Sequence, residues 1–153
     1  MDDDEAMGLA LEEAALAPPH GDVPIGCVVV VDGTVVARRH NERERLGDPT
    51  AHAEVLALRD AAVAVGDGWR LDGATVVVTI EPCPMCAGAV VASRAARVVF
   101  GAADPKAGAL GTLYNLGADP RLLHEVAVAA GVRAAESAAL LTTFFSQRRE
   151  GSR

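Results

Sequence analysis

Two short motifs carry side chains that could do chemistry together: His52-Ala53-Glu54 and Pro82-Cys83-Pro84-Met85-Cys86. His52, Cys83 and Cys86 offer one imidazole and two thiolates, the mixed nitrogen and sulfur set that suits Zn2+. Three protein ligands leave a fourth coordination position for water, as in a catalytic metal site, whereas a structural site closes all four. Glu54, close behind the histidine, is a carboxylate placed to move that water's protons. The expected cofactor is one Zn2+ per chain.

Each piece also has a plainer reading. His-x-Glu alone is common at solvated helix starts. Cys-x-x-Cys can be a redox pair or half of a structural zinc site. A structural site would need a fourth ligand from Cys27, His20, His40 or His124, and none of these stands in a second closely spaced ligand pair. Cys27 lies within an apolar run and reads as a buried, inert small hydrophobe. Both motifs in one chain, in this order, favour the open site.

The elements that must position these residues follow from periodicity and turn signals. Asp4 to Ala17 reads as an amphipathic helix with Ala6, Leu9, Ala10, Leu16 and Ala17 on one face, stopped by Pro18-Pro19. Ile25–Val31 and Thr34–Arg38 are strand-like runs around Asp32-Gly33, a hairpin turn signal. A polar loop from His40 to Thr50 leads to a helix over Ala51–Val65, with Thr50 as its N-cap. Ala74–Thr79 reads as a strand and Pro84–Ser93 as a short helix, Pro84 sitting where a missing N–H costs nothing. Arg97–Gly101 is a fourth strand, Ala102–Gly117 a glycine-rich loop, Glu125–Ala130 a fifth strand and Arg133–Arg149 a final helix. This order predicts an α/β fold, a mixed sheet with helices on both faces. The metal motifs then occupy two helix starts, whose positive ends favour thiolates.

The bulk numbers set bounds. A chain of 153 residues is expected to form a single domain, 1–153, with the acidic residues 1–5 as a frayed terminus. No apolar run reaches the length of a membrane span, and Met1-Asp2-Asp3-Asp4-Glu5 is unlike a basic secretory signal. Three cysteines do not make a disulfide framework, so the expected compartment is the cytoplasm. A net charge of −7 argues against a nucleic-acid partner. The distribution of charge softens that. Ten of the 14 basic residues fall in three segments: Arg38, Arg39, Arg43 and Arg45; Arg94, Arg97 and Lys106; Arg148, Arg149 and Arg153. On one face they would form a phosphate-binding footprint.

Asp48-Pro49-Thr50-Ala51-His52-Ala53-Glu54, Glu81-Pro82-Cys83-Pro84-Met85-Cys86-Ala87-Gly88-Ala89 and Arg97-Val98-Val99-Phe100-Gly101-Ala102 go further. With them the chain resembles the bacterial tRNA adenosine deaminases, zinc-dependent members of the cytidine and deoxycytidylate deaminase superfamily. The resemblance runs from Val23-Pro24-Ile25-Gly26 to Phe144-Phe145-Ser146-Gln147-Arg148-Arg149. It implies a cytidine-deaminase-like three-layer α/β/α sandwich with a five-stranded mixed sheet. The implied activity is hydrolytic deamination of adenosine to inosine at the wobble position of a tRNA anticodon, typically by a homodimer. His52, Cys83 and Cys86 match the family's zinc ligands, and Glu54 its proton shuttle. Asn41 matches an asparagine that hydrogen-bonds the target nucleoside, Ile25 and Ile80 match apolar positions beside the base, and Asp104 matches an aspartate of an RNA-contacting loop. Arg94, Lys106, Arg148 and Arg149 are the candidate RNA contacts.

Ala103 stands where some members carry a basic residue, Ala92 where some carry histidine, and the chain ends at Arg153 without a long basic tail. These departures bear on RNA affinity more than on chemistry. Two other readings stay open: a free-base or nucleoside deaminase acting on guanine, cytosine or cytidine, and a non-catalytic zinc module that would not need Glu54.

Overall fold

Valine-rich runs build the centre of the molecule because they are covered on both sides. The computed structural model describes residues 1–151, so Arg153 of the third basic segment lies outside the described residues. In chain order the elements are α1 (Asp3–Ala14), a 3-10 turn (Pro18–His20), β1 (Gly26–Val31), β2 (Thr34–His40) and α2 (Arg43–Leu46). They continue with α3 (Ala53–Val65), β3 (Thr75–Ile80), α4 (Pro84–Ser93), β4 (Arg97–Ala102), β5 (Ala127–Ala129) and α5 (Ala134–Gly151). The strands form one sheet in the order β2-β1-β3-β4-β5. β1 is antiparallel to β2 and β3, while β4 is parallel to β3 and β5. This is the expected five-stranded mixed sheet.

Strand alternation sorts the side chains into two cores. Cys27, Val29, Val76, Val78, Val98 and Phe100 face α3 and α4, where they meet Ala53, Ala57, Ala87 and Val90. Val28, Val77 and Val99 face the other way, onto Met7, Ala10 and Leu11 of α1 and Leu140 of α5. With both faces buried, the strands need no polar alternate positions and read as continuous apolar runs. At Gly26 a Cβ would strike the carbonyl of Ala10, so α1 crosses the sheet where only glycine leaves room.

Several local expectations are corrected. Residues 2–5 are not frayed: Asp2 caps α1 by accepting from the Glu5 N–H, and the Glu5 carboxylate accepts from the Asp2 N–H in return. The first helix ends at Ala14, and Leu16 and Ala17 turn through i to i+3 bonds instead, which leaves Leu16 exposed rather than on the buried face. The loop His40–Thr50 is not wholly irregular. β2 extends to His40 and is followed by the single turn α2, whose Glu44 and Arg45 N–H groups are capped by the distant carboxylate of Asp22. Thr50 is not the cap of α3. Its hydroxyl donates to Asp48, and the helix starts at Ala53 with His52 as N-cap. Among the described residues no helix is long and apolar enough to cross a membrane.

Candidate metal centre and active site

Two helix starts meet at the carboxyl end of the parallel strands. α3 begins behind His52, and α4 begins behind Cys83, with Pro84 as its first residue. β3 delivers the chain directly to that second start, through Glu81 and Pro82. Ligands therefore arrive at the end of the sheet where open α/β folds place their sites.

His52 turns Nδ1 toward both thiols, 3.7 Å from Cys83 Sγ and 3.4 Å from Cys86 Sγ. With zinc–sulfur bonds near 2.3 Å and zinc–nitrogen bonds near 2.0–2.1 Å, a tetrahedral ion separates such atoms by about 3.6 Å. The two observed separations bracket that value, and all three donor atoms lie within 4.8 Å of one another. These separations fit zinc. Among the described residues no fourth donor joins the group. Cys27 is buried with its thiol on the Val28 carbonyl, His124 is held on the Ala95 carbonyl, and His20 and His40 pair with each other. The set is the open, three-ligand kind.

The electrostatics set the two thiols apart. The Cys86 thiol hydrogen-bonds to Cys83 and, with His52 also adjacent, draws the Cys83 thiol down to about 4 against the opposing effect of burial. Cys86, the donor of that bond and itself buried, is raised. His52 is raised by its bond to Cys83, burial opposing. Glu54 is buried in the first turn of α3, and burial pushes its carboxyl above the ordinary range despite its own backbone N–H and the neighbouring His52. A carboxyl held in that way can both take and return a proton.

The remaining predicted residues divide by place. Asn41 is buried at the same sheet end, its N–H on the Ile25 carbonyl. Its side-chain amide donates to the Val23 carbonyl and its oxygen accepts from the Arg43 N–H, which leaves one donor and one acceptor site for a ligand. Ile25 and Ile80 are half-buried and, by continuation of the β1–β3 register, stand opposite each other there. Asp104 follows β4 at this end, accepting from the Lys106 and Ala107 N–H groups. Lys106 is exposed beside it.

Arg94 is not brought to this end. It closes α4 in the left-handed conformation, its guanidinium on the Val91 and Ala92 carbonyls and over Trp69. The ten residues of α4 separate it from Cys83, a distance of about 15 Å at 1.5 Å per residue. Nor are all the described basic residues brought to one face. Arg38 pairs with Glu12 and Glu13, Arg39 with Asp60 and Glu42, and Arg97 with Asp3 at the far end of the sheet. Arg148 lies over Phe144, a residue that shares a groove with Pro18 and Pro24. The α5 terminus is thus on the Ile25 side of the molecule.

One residue of consequence was not singled out by sequence. Glu81, buried just before Pro82, accepts from the N–H groups of Asp104, Leu110 and Thr112 and from the Thr112 hydroxyl. It ties the metal turn to the loop that carries Asp104 and Lys106. A Cβ on Gly108 would strike this carboxylate. The available sequence signal was an acid immediately before a Pro-Cys turn.

A family model described as the cytidine and deoxycytidylate deaminase zinc-binding region matches residues 1–102. Over 148 residues, 97% of this chain and 91% of the relative, the sequence is 49% identical to a tRNA-specific adenosine deaminase of Bacillus subtilis. The fold is similar to a solved tRNA:A34 deaminase studied for A-to-I editing at the wobble position of transfer RNA. That likeness has a TM-score of 0.86 and 44% identity, over 90% of this chain and 99% of the other. A guanine deaminase from Bacillus subtilis is also similar, with a TM-score of 0.64 and 36% identity over 67% of this chain and 66% of the other.

Proposed function

We propose that this chain, which belongs to the cytidine and deoxycytidylate deaminase family and within it to the tRNA-specific adenosine deaminases, hydrolyses adenosine to inosine at the wobble position of a tRNA anticodon. The observation that carries the reading is the His52, Cys83, Cys86 triangle beside buried Glu54 in a chain similar to those deaminases over almost its whole length. Sequence identity to the guanine deaminase is lower.

A zinc ion held by His52, Cys83 and Cys86 would supply a Lewis acid that makes water nucleophilic at neutral pH. Glu54 accepts the proton of the attacking water and passes protons to a ring nitrogen of the purine and to the departing 6-amino group. Water enters, ammonia leaves, and the ring keeps an oxygen at carbon 6. Asn41 orients the nucleoside through its free amide donor and acceptor. Ile25 and Ile80 wall the base, which must leave its stack to reach the site, and an anticodon loop presents it already unpaired. Asp104 accepts from a ribose 2′-hydroxyl, and Lys106, Arg148 and Arg149 meet phosphates.

The active species is a homodimer of one deaminase domain per chain. Exposed Met85, Leu113 and Tyr114 supply apolar surface beside the metal turn for that contact. Three free thiols and a tRNA substrate suit the cytoplasm. Inosine formation at the wobble adenosine of an anticodon stem-loop, read by mass spectrometry of the digested RNA, tests the activity directly.

A further inference from the structure

We propose that His20 and His40 form a second cation site, which takes a borderline divalent ion, Zn2+ first, between their two Nε2 atoms. The pair lies outside the active site, where the 3-10 turn meets the end of β2, one residue before Asn41. The Nε2 atoms are 3.1 Å apart. Two imidazole nitrogens on a tetrahedral zinc stand about 3.3 Å apart, given bonds near 2.05 Å. A shift of a few tenths of an ångström admits the ion.

The outer nitrogens make the case. His20 Nδ1 lies 2.7 Å from Asp22 Oδ2, and His40 Nδ1 lies 3.1 Å from Glu13 Oε1. A carboxylate acceptor fixes the proton on Nδ1, so each ring presents its Nε2 lone pair inward. Two lone pairs that face each other repel unless something positive lies between them. A carboxylate behind each coordinating imidazole is also the usual support of a metal-bound histidine, orienting the ring and raising its basicity. Both rings and both carboxylates are largely buried, so the geometry is held rather than sampled.

The local charge fits the same ion. A Glu42 carboxylate oxygen stands 3.7 Å from His40 Nε2. Arg38 and Arg39 reach this region, but Arg38 is shared with Glu12 and Glu13, and Arg39 with Glu42 and Asp60. Asp22, Glu13 and Glu42 set three carboxylates against the two rings, which favours a dication. Imidazole nitrogens with a carboxylate select zinc-like ions over calcium or magnesium.

The test is titration of Zn2+ into protein that already holds one zinc, followed by calorimetry. A second equivalent is expected in the wild type. It should vanish in His20→Gln and in His40→Gln, both keeping the first zinc, and persist in His124→Gln. Asp22→Asn should weaken it about 10- to 100-fold. Histidine 15N spectra of the wild type give a readout that needs no variant: Zn2+ should move the Nε2 signals of His20 and His40 together. No second equivalent, or Nε2 signals unmoved at saturating Zn2+, would overturn the site and leave only a shared proton between the rings. Neither readout involves deamination, so failure here is distinct from failure of the proposed activity.

Discussion

His52 and Cys83 hold the same place in two different helices: each is the N-cap, and His52 Nδ1 stands 3.7 Å from Cys83 Sγ. Neither side chain makes a hydrogen bond to its own helix start. An N-cap residue normally satisfies a backbone N–H of the first turn. Here both side chains are turned away from that duty and toward each other, which is what shared coordination of an ion requires.

Removing a ligand should therefore remove the metal and not the fold. Cys86→Ala is expected to lose most of its zinc, measured by metal analysis of purified protein. Cys27→Ala should keep a full equivalent, because the Cys27 thiol is spent on the Val28 carbonyl. Equal zinc in wild type and Cys86→Ala would refute the ligand set.

Glu54→Ala should separate coordination from catalysis. Zinc content is expected to be unchanged, with turnover lower by about 10²–10⁴-fold or more, the range for a general acid–base group that here handles several protons. Near-normal deamination by this variant would exclude Glu54 as the proton carrier.

Glu81→Ala would strand three backbone donors, the N–H groups of Asp104, Leu110 and Thr112. Of the three bonds only that of Leu110 is fully buried; a buried donor left unpaired costs about 1–3 kcal/mol, so a loss of about that size is expected in urea unfolding. Since the loosened loop carries Asp104 and Lys106, KM for RNA should rise more than kcat falls. Unchanged stability would show that the carboxylate does not hold the loop.

Asp22 sets an acid limit on stability. Burial raises its carboxyl, but the N–H groups of Glu44 and Arg45 and the ring of His20 outweigh burial and hold it below its ordinary value. A depressed folded value means that the stabilisation is full above the unfolded value of about 3.9 and is lost as pH falls through the folded one. Urea midpoints taken from about pH 5 down to about pH 2.5 should fall less steeply in Asp22→Asn than in the wild type. Parallel curves would remove Asp22 from the account.

The cluster of His52, Cys83 and Cys86 and the succession of elements along the chain were legible in the sequence because both depend on local signals: ligand type and spacing, apolar runs, and the Asp32-Gly33 turn, where both residues adopt positive φ as the hairpin demands. What stayed hidden depends on contacts distant in sequence. The turn α2 has no apolar periodicity and exists because Asp22 caps it from across the chain. Thr50 looked like a cap, but its hydroxyl had a nearer acceptor in Asp48. The arginine segments looked like a footprint because sequence does not reveal that Glu12, Glu13, Asp60 and Asp3 would already be holding Arg38, Arg39 and Arg97.

The substrate class is decided by setting an anticodon stem-loop with adenosine at the wobble position against free guanine, cytosine and cytidine, at equal enzyme and zinc. Inosine should accumulate in the stem-loop while the free compounds release no ammonia. The activity should fall with salt, at a log–log slope near −0.7 per neutralised phosphate for single strands. Rapid ammonia release from guanine with the stem-loop untouched would contradict the account and leave a zinc deaminase of another substrate class.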